Sequence, residues 1–364
     1  MNRRNFIYQT LGGIAWTTLM ANCRQRSSVT TNIHKKEKLG VALVGLGYYS
    51  TDLLAPALQL TTHCYLAGIV TGTPEKAVRW KKQYNIPDSN IYSYDNFDQI
   101  ANNPDIDVIY IVLPPSLHAE YVIKAANAGK QVWCEKPMAM TVQECERMIK
   151  ACEQNKVQLS IGYRMQHEPN TKDIMAFAQQ KPYGAIQKIS AEAGYYEGRT
   201  NHWKQKKAMG GGATYDMGVY CINAARYASG KEPIAVKAVK STTRPKIYTE
   251  VDETMNFELF FDDGCVATCE TSFGKGLNKL HVQCEKGWYG LEPFQSYSGI
   301  QGETSDGKLL NKSIPNEQAR QMDDDALAIL QKKPNLVAGE EGLKDIRVVE
   351  AIFRSVEMGM KVNI

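Results

Sequence analysis

The chain has 364 residues, 43 Lys and Arg against 39 Asp and Glu, with 43% hydrophobic and 23% charged residues. That composition excludes a disordered, collagen-like or disulfide-scaffold chain, and at roughly 150 residues per domain the length implies two domains with cores of their own. The net charge of +4 is confined to the start, where residues 1–38 hold seven Lys and Arg and one acid; the remaining 36 basic and 38 acidic residues exclude a general electrostatic footprint for nucleic acid.

Arg3 and Arg4 precede a weakly apolar run from Phe6 to Met20. It is too short to span a bilayer as a helix, and its order of charge, apolar middle and small residues predicts a bacterial leader of the twin-arginine type over 1–22. Leu19-Met20-Ala21-Asn22-Cys23 resembles a lipoprotein cleavage box except at Asn22, so the segment fits a lipid on Cys23 and equally its absence. Residues 23–38 read as a polar tether. The expectation is an exported, periplasmic protein that meets a membrane only through Cys23.

Leu39 to Val44 is a continuous apolar run, the pattern of a strand buried on both faces. Gly45-Leu46-Gly47-Tyr48-Tyr49-Ser50 follows, then a helical stretch to about Leu60 that Thr51-Asp52 would cap. A glycine turn between buried strand and helix suits a dinucleotide pyrophosphate, although Ser50 stands where the fingerprint has its third glycine. The same turn also occurs in α/β sheets without a ligand.

Tyr65 to Val70 reads as a strand that ends Val70-Thr71-Gly72-Thr73, with Lys76 in the next turn and a helix over Pro74–Tyr84. Thr71, Thr73 and Lys76 suit a ribose 2′-phosphate, whereas a carboxylate there would suit the free hydroxyl; the reading favours NADP over NAD. The alternative is that these residues cap the helix. Further strands are expected at Val108–Leu113, Gln131–Cys134 and Gln158–Ile161, with helices at Ser116–Asn127 and Val142–Gln154. The alternation predicts a Rossmann doubly wound parallel sheet over 39–161.

From 162 to 364 strand-like runs dominate, at Ile186–Tyr196, Ile234–Thr242, Thr254–Phe261, Val266–Ser272 and Leu280–Cys284, with helices near 213–228, 317–331 and 341–359. They predict an open, mainly antiparallel sheet forming a substrate and oligomerisation domain. The fold class is thus α/β plus α+β. The nine cysteines are odd in number and match no common metal spacing, and Cys265 and Cys269 would lie about 13 Å apart along a strand, too far to bridge. Free buried thiols and no metal site are expected.

Two further constellations carry chemistry. Glu135-Lys136-Pro137 ends the strand Gln131–Cys134 at the sheet crevice, where a turn can aim Lys136 inward. Gly210-Gly211-Gly212 leads into a helix on which Asp216 and Tyr220, four apart, share a face. A surface turn and an amphipathic core helix are the plainer readings.

Together with Val112-Leu113-Pro114-Pro115-Ser116-Leu117-His118 and Gly162-Tyr163-Arg164, these motifs resemble the glucose-fructose oxidoreductase and inositol dehydrogenase (Gfo/Idh/MocA) family over nearly the whole body. Gly45–Ser50, Ala67–Gly72 and Tyr220 are most similar to the glucose-fructose oxidoreductase branch, whose type member is exported by the twin-arginine route. The resemblance implies an NADP-dependent oxidoreductase acting on the anomeric carbon of an aldose, with bound cofactor recycled by a second sugar. It places Lys136, Asp216 and Tyr220 at catalytic positions, although many members have His at the position of Tyr220. A lysine cation beside a phenol favours phenolate, so Tyr220 would take the anomeric hydroxyl proton while Asp216 orients the sugar. By the same resemblance Gly45, Leu46, Gly47, Tyr48, Tyr49, Leu113, Pro114, His118, Glu135 and Arg164 join Thr71, Thr73, Lys76 and Lys136 at the cofactor. Pro115 departs from the Asn often found there. Trp203-Lys204, just before the glycine loop, fits a wall of the sugar site, with the aromatic face on the ring, and equally a core tryptophan beside a solvated lysine. A redox-assisted NAD(P)-dependent glycosidase and a non-catalytic NADP-binding scaffold are the competing functions, and a homo-oligomer, dimer or tetramer, is expected because the open sheet needs cover.

Overall fold

The computed structural model describes residues 36–364. The leader-like segment, Cys23 and most of the polar tether lie outside the described residues. The tether's last residues meet the first sheet, where Lys36 Nζ pairs with Asp107 at 2.7 Å. Among the described residues no helix is long and apolar enough to cross a membrane.

The first sheet comprises β1 (Leu39–Val44), β2 (Cys64–Val70), β3 (Ile91–Tyr92), β4 (Val108–Ile111), β5 (Gln131–Cys134) and β6 (Leu159–Ile161). All pairings are parallel, in the order β3-β2-β1-β4-β5-β6. Every residue of β1 and β4 is buried, which is why both read as unbroken apolar runs. Strand order reverses between β1 and β4, so their carboxyl ends open a crevice at the glycine turn and at Leu113-Pro114. The connecting helices are α1 (Ala55–Leu58), α2 (Pro74–Tyr84), α3 (Pro115–Asn127) and α4 (Val142–Gln154). The start of α1 departs from expectation. A π-helical turn over Tyr49–Leu54 precedes it, no side chain caps either piece, and the helix stops at Leu58. Helix α4 does carry a capping box, between Thr141 and Glu144.

The chain then adds α5 (Pro169–Gln180), which the sequence reading passed over although Pro169 sits in its first turn and the Glu168 carboxylate accepts from the Thr171 N–H. The second sheet contains β7 (Ile186–Gly194), β8 (Ala235–Ser241), β9 (Thr254–Phe260), β10 (Val266–Ser272), β11 (Leu277–Cys284), β12 (Gly287–Leu291), β13 (Gly302–Thr304), β14 (Leu309–Leu310) and β15 (Val362–Asn363). Its order is β14-β13-β12-β11-β7-β10-β9-β8-β15, antiparallel except where β10 runs parallel to β7. Met255, Phe257 and Leu259 of β9 are buried while Asn256 and Glu258 between them are exposed, so one face is covered and the other is open. Helices α6 (Val219–Ser229) and α8 (Gly339–Met358) pack on the covered face, whereas α7 (Glu317–Leu330) returns to the first sheet beside α1 and β2. The eight cysteines among the described residues are free and buried.

Candidate functional site

The glycine turn leaves β1 with Gly45 at φ +91, where a Cβ would stand 2.4 Å from the Val112 carbonyl oxygen, so close approach to β4 requires glycine. At Gly47 a Cβ would meet nothing within 4 Å, leaving the turn open from outside. Ser50 fits the third glycine position because its hydroxyl donates to the Gly45 carbonyl at 2.6 Å. Leu46 is buried and Tyr48 is 63% exposed. Lys76 reaches back from α2 to donate to the Leu46 carbonyl at 2.9 Å, placing a cation against the turn. Thr71 accepts from the Thr73 N–H at 3.2 Å, and the Thr73 side chain makes no cap bond to α2. An open glycine cradle, a helical start and a nearby cation fit a dinucleotide phosphate. Gly45, Leu46, Gly47, Tyr48, Thr71, Thr73 and Lys76 would hold that part of it.

On the other side of the switch point, His118 is not presented to the crevice. Its Nε2 faces the Leu113 carbonyl at 2.7 Å and its Nδ1 faces the Pro137 carbonyl at 2.9 Å, in full burial. The side chain braces the Leu113-Pro114 loop against the Glu135-Lys136-Pro137 turn, whose Lys136–Pro137 bond is cis. Glu135 is buried, accepts from the Tyr110 hydroxyl at 2.6 Å, and lies where any side chain at Gly162 would collide with it. Burial pushes its carboxyl up, against the pull of Tyr110 and Lys136.

Lys136 meets Asp216 and Tyr220 across 80 or more residues of sequence. Lys136 Nζ donates to the Asp216 backbone carbonyl at 2.7 Å, lies 3.5 Å from its carboxylate, and sits 4.6 Å from the centre of the Tyr220 ring. Burial opposes its charge, but Tyr220, Asp216 and Glu135 outweigh burial and hold its pKa above the usual lysine value. Asp216 falls in a π-helical turn, Thr214–Gly218, that runs into α6 and Tyr220. The glycine loop sets this start. Gly212 has φ +107 and packs on Asp252, whose carboxylate accepts from the Thr214 N–H and hydroxyl at 2.7 and 2.8 Å.

Lys204, next to Trp203 and ahead of the glycine loop, completes the group. Its Nζ lies 2.6 Å from the Asp216 carboxylate and 2.8 Å from the Tyr195 hydroxyl, which itself contacts Asp216 at 3.1 Å. Burial alone would raise the Asp216 pKa, yet Lys204 and Lys136 depress it well below the usual carboxylate range. Asp216 is therefore a permanent anion and acceptor, not a proton carrier. Trp203 is half-buried, with Lys204 Nζ 5.7 Å from its ring centre. Arg164 also differs from expectation in its setting. It is 1% exposed, pairs with Glu317 of α7, and its guanidinium lies 5.8 Å from the Tyr220 ring centre. Only the fold reveals Glu317, 153 residues from Arg164, and Tyr195, which follows β7 and turns back onto Asp216.

At the rim, Glu197 is ion-paired with Arg199, and Glu253 is held by Arg244 at 2.7 Å. Despite burial, Arg199 lowers Glu197 to about 2, and Thr242 with Arg244 lowers Glu253 to about 2. Both folded values lie below the unfolded one, so this stability is fully present above about pH 4.5 and is lost as pH falls towards 2. Tm is expected to drop across that window, and Glu197→Gln with Glu253→Gln to flatten the drop; an unchanged acid profile in the double variant would exclude these two carboxylates as its source.

Comparison with known proteins finds relatives over most of the chain. The model of an oxidoreductase family with an NAD-binding Rossmann fold matches residues 39–163, and that of a GFO/IDH/MocA C-terminal domain matches 172–290. The crystal structure of an aldose-aldose oxidoreductase from Caulobacter crescentus, complexed with glycerol, superposes with a TM-score of 0.87 at 38% identity, over 90% of this chain and 100% of the other. The NADP(+) D-xylose 1-dehydrogenase of Haloarcula marismortui is 27% identical over 335 residues, 87% of this chain and 90% of its own. A levoglucosan dehydrogenase in complex with NADH and L-sorbose shares the fold, with a TM-score of 0.78 at 20% identity over 90% of this chain and 99% of the other.

Proposed function

The chain belongs to the GFO/IDH/MocA oxidoreductase family, and from that premise we propose that it is an aldose oxidoreductase that retains NADP and passes reducing equivalents from one sugar to another. It is an NAD(P)-dependent oxidoreductase acting on sugars. The finer reading rests on one observation above all: Lys136, Asp216 and Tyr220 meet at the carboxyl end of β5, beside a glycine turn that carries its own cation, Lys76.

When bound, nicotinamide would supply the hydride acceptor, which is the cofactor's own chemistry. The protein's part is the proton and the pose. Tyr220 takes the proton of the anomeric hydroxyl, with the Lys136 cation against its ring. Asp216, fixed as an anion by two lysines, accepts hydrogen bonds from sugar hydroxyls and orients the ring. Trp203 offers an aromatic face at the rim. The second half-reaction runs the same proton backwards, from Tyr220 to the carbonyl oxygen of the acceptor.

The Thr71-Gly72-Thr73 end of β2 and Lys76 support NADP over NAD, and the relative from Haloarcula marismortui is named for NADP(+). An enzyme that keeps its cofactor is independent of a cytosolic pool, so this reading and the proposal of a twin-arginine leader support each other. Self-association through the open face of the second sheet belongs to the same proposal. The test is to denature the purified protein, assay released NADP(H), and follow nicotinamide fluorescence of the native protein after adding an aldose and then a second sugar. Fluorescence is expected to rise with the first and fall with the second. Bound cofactor whose redox state no sugar changes would overturn the reading.

A further inference from the structure

The segment between β12 and β13 has no regular structure, yet it is firmly seated. Phe294 and Ile300 are buried at its two ends. Asn278 of β11 accepts from the N–H groups of Phe294 and Gln295 at 2.9 and 3.0 Å and donates to the Gln295 carbonyl at 3.1 Å. Arg164 then donates to the Ser296 carbonyl at 2.6 Å. The next residue, Tyr297, is 43% exposed, which is unusual for a large aromatic side chain on so well-anchored a segment.

Tyr297 does not point away from the protein. Its ring centre lies 6.1 Å from that of Tyr49, on the glycine turn of the first sheet, and 4.9 Å from the Arg164 guanidinium carbon. The second sheet's loop thus touches the dinucleotide turn of the first through two tyrosine rings. Arg164 holds both this loop and Glu317 of α7, so the contact is pinned from the core side. Burial, followed by the neighbouring Tyr220, pushes the Tyr297 phenol up, so the ring stays neutral and the contact is one of aromatic packing and cation–π attraction.

We propose that Tyr297 and Tyr49, pinned by Arg164, form a clasp across the crevice that slows the escape of NADP(H). The proposal rests on the NADP reading above and gives retention a physical cause in named side chains. Removing the Tyr297 ring leaves Tyr49 and Arg164 in place but opens the span between the two sheets; restoring a ring without the hydroxyl restores the clasp.

The test is the dissociation rate of NADPH, read as loss of nicotinamide fluorescence after a chase with excess NADP+, for the wild type, Tyr297→Ala and Tyr297→Phe. Release is expected to be about tenfold faster in Tyr297→Ala, the size of one aromatic and one cation–π contact, and close to wild type in Tyr297→Phe. Circular dichroism and Tm of the NADP-free proteins check that all three fold alike, which the exposure of Tyr297 predicts. A Tyr297→Ala rate equal to or slower than wild type overturns the clasp and leaves the NADP reading standing. A correctly folded wild type that binds no NADPH overturns the reading, and the clasp with it.

Discussion

Tyr220→Phe is expected to fold, to bind NADP(H) as the wild type does, and to lose about 10²–10⁴-fold in turnover, the contribution of a positioned acid–base group. The ring is 8% exposed, with Lys136 Nζ 4.6 Å and the Arg164 guanidinium 5.8 Å from its centre. Phenylalanine keeps that ring and both cation contacts, so what is lost is the hydroxyl alone. Neither Asp216 nor Lys136 can replace it. Asp216 is held far below the range in which a carboxylate carries a proton at neutral pH, and Lys136 is held above its usual value, so each is fixed in its charged form. The measurement is a single-turnover change of nicotinamide absorbance after mixing with an aldose, beside NADPH binding and Tm. Turnover like the wild type's would remove Tyr220 from the proton step and leave the glycosidase and scaffold readings to be tested afresh.

Lys136→Met is the second large effect, with an expected loss of about 10²–10³-fold in turnover and a much smaller change in stability. Lys136 supplies the cation at the Tyr220 ring and the donor to the Asp216 carbonyl at 2.7 Å. Methionine fills the same space without either. Removing one partner of a buried ion pair ordinarily strands the other charge at a cost of about 3–5 kcal/mol. Here Asp216 keeps Lys204 at 2.6 Å and the Tyr195 hydroxyl at 3.1 Å, so it is not stranded and the fold survives. Lys136→Arg is not expected to rescue turnover, because a planar fork cannot place a point charge over the ring in the same space. Tm by calorimetry and the single-turnover rate separate the two effects. A steep loss of Tm with a preserved rate would make Lys136 structural.

The parts of the site that were legible in the sequence are those in which local backbone and chemistry coincide. Gly45 and Gly47 follow a strand whose burial shows as six apolar residues, and Lys136 follows β5 directly. Asp216 and Tyr220 were placed by their spacing of four, although the chain there opens as a π-helical turn before α6. What was not legible depends on long-range partners. Nothing near Arg164 in sequence indicates Glu317, 153 residues away, and nothing near Asp216 indicates that Lys204 will share it with Lys136. His118 carries the same lesson in reverse, since an apolar helix face with one histidine does not reveal that two backbone carbonyls already occupy it. Short strands such as β3, β14 and β15 have two residues each, too few to show any alternation. Helix α5 was legible in principle, through Glu168 and Pro169.

The pairing of charges around Tyr220 has a consequence for what can enter. Lys136 and Lys204 share the one carboxylate of Asp216, while Arg164 faces Glu317 and Arg199 faces Glu197, so every one of these cations lies against a carboxylate of the protein. A phosphorylated sugar or a uronate would compete with these carboxylates for the same cations, and a carboxylate it displaced would be left in a poorly solvated place. An uncharged ring of hydroxyls meets no such toll and can bridge the existing ions. The neutral sugar proposed above would leave every one of these ion pairs intact.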